Sequence, residues 1–215
     1  MPQPLTEAPA LPTVLVLVRH GESEWNRRNL FTGWHDVDLS EEGLIEAHRA
    51  GEMLRKEGHR IDIAFSSQLK RARRTLKIIL GELGRDQIPI IADAALNERD
   101  YGDLAGINKD DARKRWGNEM VDLWQRSYDV APPGGESLKD TAARVLPFFS
   151  KRILPELQTG NVIVAAHGNS LRSLVMYLDK LSPDQVMSLT IVTGVPLIYR
   201  LRADGSVASK QDLAA

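Results

Sequence analysis

The sequence predicts an α/β protein: a three-layer α/β/α sandwich around a mostly parallel central sheet. Three observations lead there. Val14-Leu15-Val16-Leu17-Val18 is a continuous run of β-branched and leucine side chains. It is too short for a helix and apolar at every position, which marks a strand buried on both faces. Asn161-Val162-Ile163-Val164-Ala165-Ala166 repeats the pattern. Amphipathic helical patterns lie between such strands, the alternation that produces a parallel sheet covered on both sides. In such sheets ligands bind beyond the carboxyl ends of the strands.

Taken in order, Met1 to Pro12 holds four prolines and no basic stretch leading into an apolar one. It is expected to be a disordered leader rather than a signal peptide. After the first strand, Ser40 caps a helix whose positive first turn carries Glu41 and Glu42. Leu44, Ala47, Met53 and Leu54 keep helical spacing, and Gly58 suits a left-handed stop. Ile61 to Phe65 reads as another strand. Leu69, Ala72, Leu76, Ile79, Leu80 and Leu83 form the next stripe, ended by Gly84. The stretch from about 93 to 135 is polar, rich in Trp and Tyr, and ends in Pro132-Pro133-Gly134-Gly135. It breaks the alternation and is expected to be an excursion over the site, inserted in a single catalytic domain over 13–202. Ser137 and Asp140 have capping-box spacing, ahead of a stripe of Leu138, Ala142, Val145, Phe149, Ile153 and Leu157 that Pro147 should kink. Asn169-Ser170 opens a further helix with Leu171, Leu174, Val175 and Leu178 inward. Val195 to Leu201 is a fourth strand candidate, and 203–215 is expected to be a flexible tail.

The 215 residues are 42% hydrophobic and 27% charged, a globular balance, with a net charge of −1. A protein built on nucleic-acid contacts is usually more basic, so no nucleic-acid partner is expected. Small anions need only a local cluster of Arg and Lys. The absence of cysteine removes thiol nucleophiles, disulfides and thiolate metal sites. No apolar run approaches the roughly 18 residues of a membrane span, so no membrane partner and a cytoplasmic location are expected.

Two of the five histidines sit where an apolar strand gives way to glycine: Arg19-His20-Gly21-Glu22 and His167-Gly168-Asn169. One such histidine would read as a core residue; two point to a site. Glycine lets backbone approach a ligand closely, and the free amides of the helix starting near Asn169 suit an anion. Arg71 lies one turn into the helix after Ser66-Ser67. Helical side chains lean toward the N-terminus, so Arg71 can point back over the strand ends, while Arg73 and Arg74 read as a solvated face. Arg19 beside His20 disfavours a metal and favours phosphate. No Walker A, GxGxxG or GxSxG pattern occurs. A neutral histidine is a capable nucleophile toward phosphorus, given cations for the phosphoryl oxygens and an acid for the leaving oxygen. His20, Arg19, Arg71 and His167 meet all but the last demand.

Arg19-His20-Gly21-Glu22 resembles the signature of the histidine phosphatase superfamily. Ser23-Glu24-Trp25-Asn26, Phe31-Thr32-Gly33-Trp34, Leu96-Asn97-Glu98-Arg99-Asp100-Tyr101-Gly102, Gly106-Ile107-Asn108-Lys109, Ala166 to Arg172 and Thr193-Gly194-Val195-Pro196 narrow the resemblance to its cofactor-dependent phosphoglycerate mutases. The resemblance runs from Val14 to about Leu201. It implies that His20 is phosphorylated, that Glu98 donates and accepts the proton of the substrate hydroxyl, and that His167, Arg19 and Arg71 stabilise the moving phosphoryl group. It implies substrate binding by Ser23, Asn26, Thr32, Gly33, Arg99, Tyr101, Lys109, Arg126, Gly168 and Asn169. The implied reaction interconverts 3-phosphoglycerate and 2-phosphoglycerate, with 2,3-bisphosphoglycerate as priming phosphodonor and no metal. A homodimer is a further expectation, since the family is often oligomeric.

Three features depart from the family pattern. Trp124-Gln125-Arg126 stands where Trp-Arg-Arg is usual, so a substrate cation is missing, and Arg115 is a candidate to compensate. Pro132-Pro133 runs directly into Gly134-Gly135, where many relatives carry an insert. The tail from Arg202 is short and polar, and weak closure would admit water to a phosphohistidine. Two rival readings remain open. One is a phosphatase of the same superfamily acting through the same His20. The other is a non-catalytic phosphate binder, disfavoured because His20 and Glu98 are both present.

Overall fold

The computed structural model describes residues 12–214; the leader expected up to Pro12 lies outside them apart from that last proline. The strands are β1 (Thr13–Arg19), β2 (Ile63–Ser66), β3 (Ile90–Ala92), β4 (Val162–Ala166), β5 (Pro196–Leu201) and β6 (Val207–Asp212). The α-helices are α1 (Glu24–Arg27), α2 (Glu41–Glu57), α3 (Lys70–Glu82), α4 (Lys109–Trp116), α5 (Asn118–Arg126), α6 (Leu138–Phe148), α7 (Gly168–Asp179) and α8 (Pro183–Ser188). The six strands form one sheet in the order β3-β2-β4-β1-β5-β6. The first four run parallel, while β5 and β6 run antiparallel beside β1 and each other.

Val14 to Val18 are all buried, as a two-sided strand requires. Their side chains alternate between two cores. Leu15 and Leu17 pack with Val145 of α6 and Leu171, Leu174 and Val175 of α7. Val14, Val16 and Val18 pack with Ala50 and Leu54 of α2 and Leu76, Ile79 and Leu80 of α3. The result is the expected three layers. Ser40 caps α2, whose C-cap Gly58 adopts φ 71°, and Ser137 and Asp140 form the expected capping box.

Some elements differ from the sequence reading. The strand expected at Ile61 to Phe65 starts at Ile63, because Asp62 accepts from the Asn161 amide at the sheet's rim. Pro147 lies inside α6, which leaves α geometry after Phe148 and widens into a π turn over Phe149–Ile153. Proline removes a donor from the helical ladder and crowds the preceding turn. The tail expected to be flexible contains β6 instead. An edge strand with mostly exposed side chains needs no apolar run, so Val207-Ala208-Ser209-Lys210-Gln211-Asp212 carries no strand-like pattern. Lys210 pairs with Asp179 at 2.5 Å, a charge of the kind that protects sheet edges.

Candidate active site

Register brings the histidines together. β1 and β4 pair with Arg19 opposite Ala166, so His20 and His167 leave adjacent strands at the same level. Ser66 of β2 pairs with Ala165, which sets Ser67 beside them. The two imidazoles lie 4.9 Å apart, edge to face. α2 closes against the His20 loop with no side chain between: a Cβ on Gly21 would collide with the Gly43 carbonyl, and one on Gly43 with the Glu22 carbonyl.

His20 is 2% exposed. Its Nδ1 sits 2.6 Å from the Gly21 carbonyl, which can only accept, so Nδ1 carries the proton and Nε2 the lone pair. Burial, Arg71 and Arg19 hold His20 well below the ordinary histidine pKa, against a smaller upward pull from the Gly21 carbonyl. Burial, followed by Arg71, His20 and Arg19, depresses His167 likewise, and its Nε2 lies 2.7 Å from Ser67 Oγ.

Arg71 is buried and aimed as its place in the first turn of α3 predicts. Nε donates to His20 Nε2 at 3.3 Å, Nη1 to the His35 carbonyl at 2.9 Å and Nη2 to the Gly33 carbonyl at 2.8 Å. Burial lowers its pKa to about 10, partly offset by Glu98 and Asp36, so it stays cationic at neutral pH. Arg73 and Arg74 are exposed, as expected. Arg19 donates from Nη1 to the Ile191 carbonyl at 2.7 Å, and its buried Nε has no protein partner among the described residues.

Glu98 lies on the irregular stretch between two 3₁₀ turns, Ala94–Leu96 and Gly102–Leu104. Its Oε1 accepts from the amides of Arg99 (2.8 Å) and Asn169 (3.0 Å) and from Asn169 Nδ2 (3.0 Å). Burial pushes its pKa up, but the Arg99 amide, Arg19, Asn169 and Arg71 together bring it below the ordinary value. Glu98 is therefore ionised at neutral pH, with Oε1 anchored and Oε2 left for a ligand.

Two adjoining cavities open from this cluster. The inner one, about 70 Å³, is lined by His20, Arg71, Asn26, Thr32, Gly33 and their neighbours. The outer one, about 220 Å³, is lined by Gln125, Arg126, Gly168, Asn169, Arg172 and the 190–191 loop. Arg19, Glu98, Tyr101 and Lys109 border both. Buried Thr32 Oγ1 has no protein partner among the described residues. A larger groove of about 780 Å³ follows the outer face of α3 and β3 but holds none of the histidines. A small anion needs convergent donors more than volume.

Three residues named from the sequence stand elsewhere than at the cavity wall. Ser23 is buried and uses its hydroxyl to cap α1 against Asn26. Arg99 is wholly buried behind the wall, donating to the Tyr101 hydroxyl at 3.3 Å and the Gln125 carbonyl at 2.8 Å. Arg115 is exposed and stacks on Trp116 at 4.4 Å, because its place on α4 turns it outward. A further cation at the outer cavity, to which the sequence assigned no role, is Arg172. Its signal was present: it lies three residues after Asn169 on α7 and so shares its face.

The arrangement gathers Arg19, Arg71, Lys109, Arg126 and Arg172 around one carboxylate and a neutral histidine pair, which suits a small ligand with two anionic groups. Comparison with known proteins agrees in kind. The histidine phosphatase superfamily (branch 1) matches residues 15–210. The chain is 63% identical over 203 residues to the 2,3-bisphosphoglycerate-dependent phosphoglycerate mutase of Nitrobacter hamburgensis, covering 94% of this chain and 98% of that one. It is 61% identical over 202 residues to the enzyme of the same name from Afipia carboxidovorans, with the same coverage. Among solved structures, a mycobacterial glucosyl-3-phosphoglycerate phosphatase superposes with a TM-score of 0.79 at 27% identity, over 93% of this chain and 97% of that one. Bacillus stearothermophilus YhfR gives 0.79 at 29% identity, over 91% and 94%. The chain belongs to the histidine phosphatase superfamily and, within it, to the family of 2,3-bisphosphoglycerate-dependent phosphoglycerate mutases.

Proposed function

We propose that the cleft interconverts 3-phosphoglycerate and 2-phosphoglycerate by moving a phosphoryl group on and off Nε2 of His20. The observation that carries this reading is the pairing of a buried, neutral His20, its lone pair held on Nε2, with an ionised Glu98 across a cavity lined by arginines.

2,3-Bisphosphoglycerate fits the donor set. The cavities on either side of Glu98 each present cations, and among the described residues Arg19 Nε and Thr32 Oγ1 have no protein partners. When bound, it supplies the phosphoryl group that loads His20. Arg19, Arg71 and His167 neutralise the phosphoryl oxygens during transfer, and because Gly21, Gly33 and His35 already fix His20 and Arg71, little reorganises at that moment.

In the loaded enzyme Glu98 is a base. Its Oε2 takes the hydroxyl proton of 3-phosphoglycerate as that oxygen bonds to phosphorus and the phosphorus–Nε2 bond breaks. Glu98 is then the acid for the return step. His20 Nε2 accepts the other phosphoryl group, the phosphorus–oxygen bond breaks, and the departing oxygen takes the proton back. Tyr101, Lys109, Arg126, Arg172, Gly168 and Asn169 border the space that must hold the carboxylate and the second phosphate throughout.

The test is conversion of 3-phosphoglycerate to 2-phosphoglycerate in excess EDTA, with and without added 2,3-bisphosphoglycerate. Isomerisation that survives EDTA and rises with the bisphosphate is the expected result. Release of inorganic phosphate without isomerisation would make the protein a phosphatase.

A further inference from the structure

Glu98 sits on a stretch with no regular hydrogen-bond ladder, yet proton transfer needs it held to a fraction of an ångström. Among the side chains outside both cavities that hold that stretch, Arg144 makes the most bonds to it. Arg144, on α6, donates from Nη1 to the carbonyls of Ala95 (2.8 Å) and Asn97 (2.9 Å), with Ala94 at 3.4 Å. From Nη2 it donates to the Glu98 carbonyl (2.8 Å) and to Glu136 Oε2 (2.8 Å), and from Nε to Glu136 Oε1 (2.9 Å). All five guanidinium protons are used, and only arginine has that fork.

The other contacts extend the grip. Glu136 Oε2 accepts from the Asp100 amide at 3.0 Å, and the Glu136 amide donates to the Asp100 carbonyl at 2.8 Å. Trp34 covers the guanidinium at 5.5 Å and donates from Nε1 to the Glu98 carbonyl at 2.6 Å. The segment is thus pinned before, at and after Glu98.

We propose that Arg144, clamped by Glu136, is the positioning residue of the proton-transfer carboxylate Glu98. This rests on the role given to Glu98 above. The competing explanation is that the clamp only supports the fold.

The experiment separates the two by leaving group. p-Nitrophenyl phosphate loads His20 by expelling a phenolate that departs without a proton. 2,3-Bisphosphoglycerate loads it by expelling an alkoxide, whose proton must come through Glu98, an ionised carboxylate that first takes that proton from water. Single-turnover phosphorylation of His20 by each donor is measured for wild type, Arg144→Lys, Arg144→Gln and Glu98→Gln, alongside thermal unfolding. Arg144→Gln should slow loading from the bisphosphate about a hundredfold and leave loading from the aryl phosphate nearly unchanged. Arg144→Lys, with its charge kept but the fork lost, should fall between and carries the test if Arg144→Gln does not fold. Equal loss with both donors, or no loss with either, overturns the proposal. Glu98→Gln is the reference: if it lacks the donor-dependent loss, the role of Glu98 itself falls. If it shows that loss while the Arg144 variants do not, only the clamp falls.

Discussion

Arg71 Nε donates to His20 Nε2 across 3.3 Å, so the unprotonated ring nitrogen faces a buried cation. The same guanidinium is fixed by the carbonyls of Gly33 and His35. A phosphoryl group arriving at Nε2 meets a charge already in place. Arg71→Lys keeps the charge but cannot make all three bonds in one plane. Phosphorylation of His20 should slow by about 10²-fold or more while the protein stays folded, measured by rapid quench. A rate within a few-fold of wild type would remove Arg71 from the transition state.

Stability should fall on the acid side in a defined way. His20 and His167 both have pKa values depressed below the ordinary 6.5. The unfolded chain therefore binds more protons than the folded one as the pH drops through that value, and stability rises with pH across it. This contribution is complete above 6.5 and is lost progressively below it. Glu98, depressed from 4.5, adds a loss of the same sign at lower pH. Urea unfolding at several pH values should show the decline, and His20→Gln with His167→Gln should flatten it near pH 6. An unchanged slope in the double variant would mean that other groups carry the dependence.

Gln125 borders the outer cavity where the family pattern has arginine. Gln125→Arg should lower KM for 3-phosphoglycerate by about an order of magnitude, roughly the 1.4 kcal/mol of one added charge-assisted bond, with little change in kcat. Steady-state kinetics decide the point. An unchanged KM would mean that Arg126 and Arg172 already satisfy the ligand's anionic groups.

Gly21 is needed for space rather than for an unusual φ. Gly21→Ala drives a methyl into the Gly43 carbonyl, and neither backbone can yield without moving His20 or α2. A loss of about 3 kcal/mol and of activity is expected in denaturant unfolding and assay. Wild-type stability would mean that the α2 contact is looser than it stands here.

Much of this site could be read from the residues. His20 and His167 stood out because each follows an apolar strand and precedes glycine, and the pairing of Arg19 with Ala166 is what sets them level. Arg71 followed from the lean of helical side chains. Glu98 had no such signal. It lies on an irregular stretch held by a residue 46 positions later, and only the motif named it. Arg144 was hidden for the converse reason: on α6 it is one more polar residue beside a regular apolar stripe. β6 was missed because an edge strand can be mostly polar and exposed. Arg115 was a choice by charge alone, and α4 turns it away from the site.

The mechanism turns on which atom carries phosphate. Incubation with 2,3-bisphosphoglycerate, rapid trapping at alkaline pH, and mass spectrometry with ³¹P and ¹⁵N NMR would locate it. The prediction is a single phosphohistidine at Nε2 of His20, discharged by 3-phosphoglycerate and missing in His20→Gln. Phosphate on Nδ1, on another residue or on none would contradict the account.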